Sequence, residues 1–70
     1  MDYMESAIKI YSDVEKMCVR KSNEYRDYLH DCADNASAST LLVLAAKIDT
    51  LDMLAYAAAE KHNSYAEFRD

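Results

Sequence analysis

The chain contains no glycine and no proline, and apolar side chains recur every seven residues through its first half. Glycine and proline are the two strongest helix breakers, so nothing in roughly the first 33 residues interrupts a helix. A strict seven-residue spacing keeps one apolar row on one side of a helix that packs against a partner helix. We therefore predict one long helix in this half of the chain. The row consists of Met4, Tyr11, Cys18, Tyr25 and Cys32. Other apolar residues at spacings of three and four, among them Met17 and Tyr28, are expected on the same inner face.

Only the stretch 34–40, with the sequence DNASAST, has the composition of a turn. Asn35 tolerates the left-handed backbone conformation that often ends a helix, so it is predicted to take the place of the missing glycine. Ser37 or Ser39 can cap the next helix, because a serine hydroxyl accepts a hydrogen bond from an unpaired backbone amide. The sequence thus predicts one helix before this stretch and one after it.

We predict helices over residues 2–34 and 40–66, joined by a turn over residues 35–39. Asp2 is expected to lie at the N-terminus of the first helix, where a carboxylate is favourable. A short turn brings the second helix back antiparallel to the first. The predicted fold class is all-α, an antiparallel helical hairpin forming a single domain over residues 1–70, with a third short helix near residues 63–69 left open.

The second helix is expected to face the first through the residues Leu41, Leu44, Ala45, Ile48, Leu51, Ala55, Ala58, His62 and Tyr65. It also has a second apolar face that a two-helix hairpin would leave in water. A helix that is apolar on more than one side is normally buried on more than one side. We therefore expect two hairpins to form a homodimeric four-helix bundle, in parallel or antiparallel orientation. The alternative is a monomer whose alanines serve only to favour helix. The predicted dimer interface comprises Val43, Ala46, Met53, Leu54 and Ala57.

Length and charge limit the class of protein. Seventy residues make one small domain, and chains of this size often need assembly, disulfides or metal for stability. The longest apolar run, 41–46, is far shorter than the roughly 20 residues of a membrane span, and no secretion signal is visible. The sequence therefore predicts a cytoplasmic protein without a membrane segment. Its net charge of -5 disfavours general attraction to nucleic-acid phosphates.

The two cysteines, Cys18 and Cys32, lie fourteen residues apart on the same predicted helix. That spacing separates them by about 21 Å, far more than a disulfide allows. We interpret them as small buried side chains in a reducing compartment, with both thiols reacting slowly in the folded protein. The alternative is a cross-link between subunits, with Cys18 of one copy facing Cys32 of the other.

No motif in the sequence predicts catalysis. Asp27, His30, Asp31 and Asp34 have the helical spacing of a metal-binding face, but the apolar row directs them outward and the second helix carries no matching Glu-x-x-His element. Without glycine there is no phosphate-binding loop. We therefore expect no enzymatic activity, no cofactor and no metal.

The remaining functional hypotheses rest on surface charge. We expect a small non-enzymatic regulator or inhibitor, of the kind encoded by phages or mobile elements, that binds a larger protein. Its predicted partner-binding residues form an acidic face with aromatic anchors: Asp27, Asp31, Asp34, Asp49, Asp52, Tyr56 and Tyr65. The alternative is an RNA- or DNA-binding hairpin dimer. Its predicted contacts are the basic residues of the first helix: Lys9, Lys16, Arg20 and Lys21.

Overall fold

Two long helices account for most of the chain in a computed structural model that describes residues 3–69. Helix α1 spans Tyr3–Cys32 and helix α2 spans Ala38–Arg69. They pack against each other along their length, in a body measuring 51 × 14 × 13 Å. The predicted all-α antiparallel hairpin is confirmed.

The loop between the helices is closed by hydrogen bonds at both of its ends. The backbone amides of Asn35 and Ala36 both donate to the carbonyl oxygen of Cys32, at 3.0 and 2.8 Å, and this ends α1. The hydroxyl of Ser37 accepts a hydrogen bond from the backbone amide of Thr40 at 3.2 Å, so Ser37 caps α2 as predicted. The left-handed conformation predicted for Asn35 is wrong, because no residue of the described range has a positive φ.

The helix bounds differ from the predicted ones by two or three residues. The cap at Ser37 lets α2 begin at residue 38 instead of residue 40. At its other end α2 continues to residue 69, because the polar stretch 62–64 contains no breaker and the helix still lies against α1 there. The third short helix left open near residues 63–69 is therefore part of α2. The expected role of Asp2 lies outside the described residues.

The core between the helices is made mostly of small side chains. All five members of the seven-residue row are buried or half-buried, which confirms the side of α1 that faces α2. Four of the six buried apolar residues are alanine or cysteine, so the helices can approach closely but bury little apolar area. The exception on the predicted inner face of α2 is Ala45, which is exposed. The buried apolar residues are Ala7, Cys18, Leu44, Ile48, Ala55 and Ala58.

The hairpin exposes more surface than a compact protein of its mass. Its accessible surface is 5322 Å², whereas a folded monomer of 8.0 kDa typically exposes about 4,400 Å². The radius of gyration is 15.8 Å, against about 11 Å for a globular domain of this length. Because the shape is elongated and the core is small, many large apolar side chains are exposed to solvent.

Candidate functional site

A cluster of three polar side chains joins the two helices near the middle of the hairpin. The hydroxyl of Ser22 donates a hydrogen bond to Oδ1 of Asp52 at 2.6 Å, and Nη1 of Arg26 donates to the Ser22 oxygen at 2.8 Å. Arg26 also forms an ion pair with Oδ2 of Asp52. Ser22 is only 1% exposed, which makes it the most buried residue of the described chain. We refer to these residues as the central polar cluster.

The central polar cluster stabilises the charged form of Asp52. The hydrogen bond from Ser22 lowers the pKa of Asp52 most, and the hydrogen bond and charge of Arg26 lower it further, while partial burial opposes them. A carboxyl group with a lowered pKa stabilises the fold above its unfolded-state pKa, and this stabilisation is lost as pH falls through the folded-state pKa. Asp52 was predicted to contact a partner; in the structure its carboxylate is bonded to Ser22 and Arg26 of α1, while its side chain stays 42% exposed.

The two predicted aromatic anchors lie in different environments. Tyr65 stacks on Tyr11 with ring centroids 5.9 Å apart and is half-buried, so its ring helps to join the ends of the helices. Tyr56 is exposed. Glu60, one helical turn further along, accepts a hydrogen bond from the Tyr56 hydroxyl and raises its pKa. Tyr56 is therefore the predicted anchor that remains at the surface.

Four of the five predicted acidic contacts are exposed near the loop end of the hairpin. Three of them lie on α1 or in the loop, and the fourth lies on α2. None of the four forms an ion pair within residues 3–69. Their carboxylates are thus left facing solvent. These residues are Asp27, Asp31, Asp34 and Asp49, and we refer to them as the acidic face.

A shallow groove between the helices borders the acidic face. Its polar lining comes from Arg26, His30 and Asp49. Its apolar lining comes from both helices and the first loop residue, so a partner that reaches the carboxylates would also meet hydrocarbon. The apolar lining residues are Leu29, Ala33, Ala45 and Ile48.

The predicted nucleic-acid face is interrupted by acidic residues. Lys9 pairs with Asp13 at 3.0 Å, and Lys21 pairs with Glu24 at 3.2 Å. The other two members of this face, Lys16 and Arg20, border a shallow hollow that also includes carboxylates. The acidic residues of that hollow are Glu15, Glu24 and Asp27.

The predicted dimer interface is exposed along its whole length. Its two alanines and its three larger side chains lie on the surface of α2. Val43 and Ala46 also line a second groove, in which Nζ of Lys47 lies 5.4 Å from the ring centroid of Tyr25. The residues Ala46, Thr50, Met53 and Ala57 recur every three or four positions, so one side of α2 is uncharged over about three turns.

The two cysteines differ in exposure, which leads to a first prediction. Cys18 is buried in the core, whereas Cys32 is half-buried at the end of α1 with its thiol directed to the carbonyl oxygen of Leu29 at 3.8 Å. We expect a thiol reagent to modify Cys32 quickly and Cys18 only after denaturation, rather than both slowly as the sequence suggested. Mass spectrometry of timed labelling, with Cys32→Ser as control, would distinguish the sites. Fast labelling of Cys18 in the native protein would contradict the assignment.

The described part of the chain contains neither a metal-binding group nor a membrane-spanning helix. Among residues 3–69, no three histidine, cysteine, aspartate or glutamate side chains come together in a group that could hold a metal ion. Over the same range, neither helix combines the length and apolar character needed to cross a bilayer.

In comparisons with known proteins, the chain matches no family model, no curated protein sequence and no solved structure.

Proposed function

We propose that this chain is a small non-enzymatic regulatory or inhibitory protein that acts by binding another protein. The observation that carries the proposal is the contrast between a core of six mostly small residues and an uncharged exposed side on α2. A protein with so little internal apolar contact gains stability by associating with another surface. In this proposal the exposed surfaces of the hairpin bind another protein.

The first association in this proposal is a homodimer. Exposed apolar side chains on α2 that pack against a second hairpin remove their area from water, at about 25 cal/mol per Å². Two hairpins joined in this way form a four-helix bundle, in which each α2 is covered on two sides. The contact residues are those of the predicted dimer interface, all of which are exposed in the single hairpin.

The second association is with a larger protein through the acidic face. Its four carboxylates are without ion-pair partners in the described chain, and the neighbouring groove offers apolar contacts. Tyr56 adds an exposed aromatic ring on α2. A partner with basic residues around an apolar anchor fits this combination of charge and hydrocarbon. The basic residues of α1 support the nucleic-acid alternative less well, because Lys9 and Lys21 are paired with carboxylates.

Sedimentation tests the first association. At tens of micromolar, the wild-type protein is expected to sediment at twice its monomer mass of 8.0 kDa or more. A species of 8.0 kDa alone under these conditions would rule out the dimer.

Charge reversal tests the second association. The variant with Asp27, Asp31 and Asp34 all changed to lysine should fail to bind the protein partner recovered by cross-linking from cells that encode the chain. The control variant, with Lys16 and Arg20 changed to alanine, should keep this binding. The opposite pattern, with salt-sensitive binding to RNA or DNA lost in the control variant, would favour the nucleic-acid alternative.

A further inference from the structure

Helix α1 carries its own row of exposed apolar side chains. Ile10, Met17 and Tyr28 are all exposed, although Met17 and Tyr28 were expected on the inner face of α1 from their spacing. They are separated by seven and eleven residues, which correspond to about two and three full helical turns. The three side chains therefore lie along one side of α1. The function proposed above does not use them.

The row on α1 lies on the same side of the hairpin as part of the proposed dimer interface. Tyr28 follows Tyr25 by three residues, and Tyr25 lines the second groove together with Val43 and Leu51 of α2. Leu54 follows Leu51 by three residues, so it continues that side of α2. Val43 and Leu54 thus form, with the three α1 residues, one apolar face built from both helices. We refer to these five residues as the two-helix face.

The other side of the hairpin is polar. It contains the ion pair between Arg26 and Asp52 and the groove bordered by His30 and Asp49. The exposed apolar residue of α1 on that side is Val19, which precedes Arg26 by seven residues, or about two turns. Most of the large apolar side chains that α1 exposes are therefore collected on one side.

Two lysines on the two-helix side are held by neighbours within the hairpin. The ammonium group of Lys21 lies 3.2 Å from the carboxylate of Glu24, and that of Lys47 lies over the ring of Tyr25. Long lysine stems can cover apolar surface while the charged ends reach water at the rim. Both ammonium groups on this side therefore already have a partner within the hairpin.

We propose that the two-helix face packs against the same face of a second copy, so that α1 contributes Ile10, Met17 and Tyr28 to the interface. This inference rests on the homodimer proposed above and extends it from one helix to two. The surface in excess of a compact monomer is about 900 Å², and a stable interface buries about 800 Å² on each partner. One row of side chains on α2 is too narrow to bury an interface of that area. A face formed by both helices can do so, as in the shared core of a four-helix bundle.

Such an interface leaves most of the acidic face accessible in both copies, whereas Asp31, which follows Tyr28 by three residues, lies beside the two-helix face. Asp49 lines the polar groove, on the side of the hairpin away from the two-helix face. Asp27 lies on α1 and Asp34 lies in the loop, and both are exposed. The dimer would thus present two acidic faces at once, and a partner with two basic sites would gain from binding both.

The test compares two equally exposed positions on α1. Met17 is 51% exposed and Val19 is 45% exposed, but they lie on opposite sides of the helix. Met17→Glu would place a carboxylate in the apolar interface and is expected to raise the dimer Kd about tenfold or more, whereas Val19→Glu should change it less than about threefold. Sedimentation equilibrium gives the Kd, and circular dichroism checks that both variants remain helical.

The outcomes separate this inference from the proposed dimer. If Met17→Glu dimerises like the wild type while Leu54→Glu does not, the interface is restricted to α2 and the inference is wrong. If both α1 variants weaken the dimer equally, the assignment of one side of α1 to the interface is wrong. A wild-type protein that is monomeric, or that uses this face only with a different protein, overturns the homodimer itself. Met17→Ala provides a second variant, expected to weaken the dimer by a smaller factor without adding charge.

Discussion

Replacing Leu44 with alanine is expected to lower the free energy of unfolding by about 2–5 kcal/mol. Leu44 is 6% exposed and is one of two large side chains in a core otherwise made of alanine and cysteine. Removing it leaves a cavity that the small neighbours cannot fill. Because a chain of this size has only a small margin of stability, we expect the variant to be largely unfolded at 37 °C. Urea unfolding followed by circular dichroism measures the change.

The matched control is Leu42→Ala, which removes the same atoms two residues away on the same helix. Leu42 is 71% exposed, so its truncation should change the free energy of unfolding by less than about 0.5 kcal/mol. Both variants must be compared at one protein concentration, because unfolding of a dimer depends on concentration. If both variants lose the same free energy of unfolding, the assignment of Leu44 to the core and of Leu42 to the surface is wrong.

Replacing Leu54 with glutamate is expected to raise the dimer Kd about 100-fold or more. Leu54 is exposed in the single hairpin and lies in the proposed interface. A carboxylate buried there without a partner costs several kcal/mol, and about 1.4 kcal/mol corresponds to a factor of ten in Kd. Since the symmetric dimer contains the substitution twice, each subunit adds one such carboxylate to the interface. Analytical ultracentrifugation across a concentration series would measure it.

The control for this substitution is Ala45→Glu, which adds the same charge to α2 on the side of the polar groove. Ala45 is exposed and lies outside the proposed interface, so dimerisation should persist. The prediction fails if Ala45→Glu and Leu54→Glu dissociate the dimer to the same extent. It also fails if Leu54→Glu remains dimeric while its helicity is unchanged.

The sequence predicted the hairpin because its strongest signals are local. The seven-residue row, the absence of glycine and proline, and the serine-rich stretch each act within a few turns of helix, so they determine the helices and the site of the turn without knowledge of the partner helix. The cap at Ser37 is such a local signal. The conformation of Asn35 was mispredicted because two amides can share the carbonyl oxygen of Cys32 and close the turn without a left-handed residue.

The central polar cluster could not be predicted in the same way. Lys21 and Ser22 form a polar interruption of the inner face between Cys18 and Tyr25, and nothing local shows that Ser22 meets a carboxylate thirty residues later. The interruption itself was the available signal, since a polar residue at an inner position needs a hydrogen-bond partner from the facing helix. Met17 and Tyr28 were placed inward because periodicity alone does not show how wide the contact between the two helices is.

The central polar cluster also determines which alignment of the two helices is possible. The buried apolar side chains are mostly alanine and cysteine, whose shapes alone distinguish only weakly between one alignment and another in which α2 has moved along α1 by one or two turns. After a slide of seven residues, Ser22 would face Ala45 or Ala59 instead of Asp52. The buried Ser22 hydroxyl would then lose the carboxylate to which it donates, and Arg26 would lose its ion pair with Asp52, so the shifted alignment is less stable. Together with the stacked rings of Tyr11 and Tyr65, the buried serine thus gives the helix pair one preferred alignment.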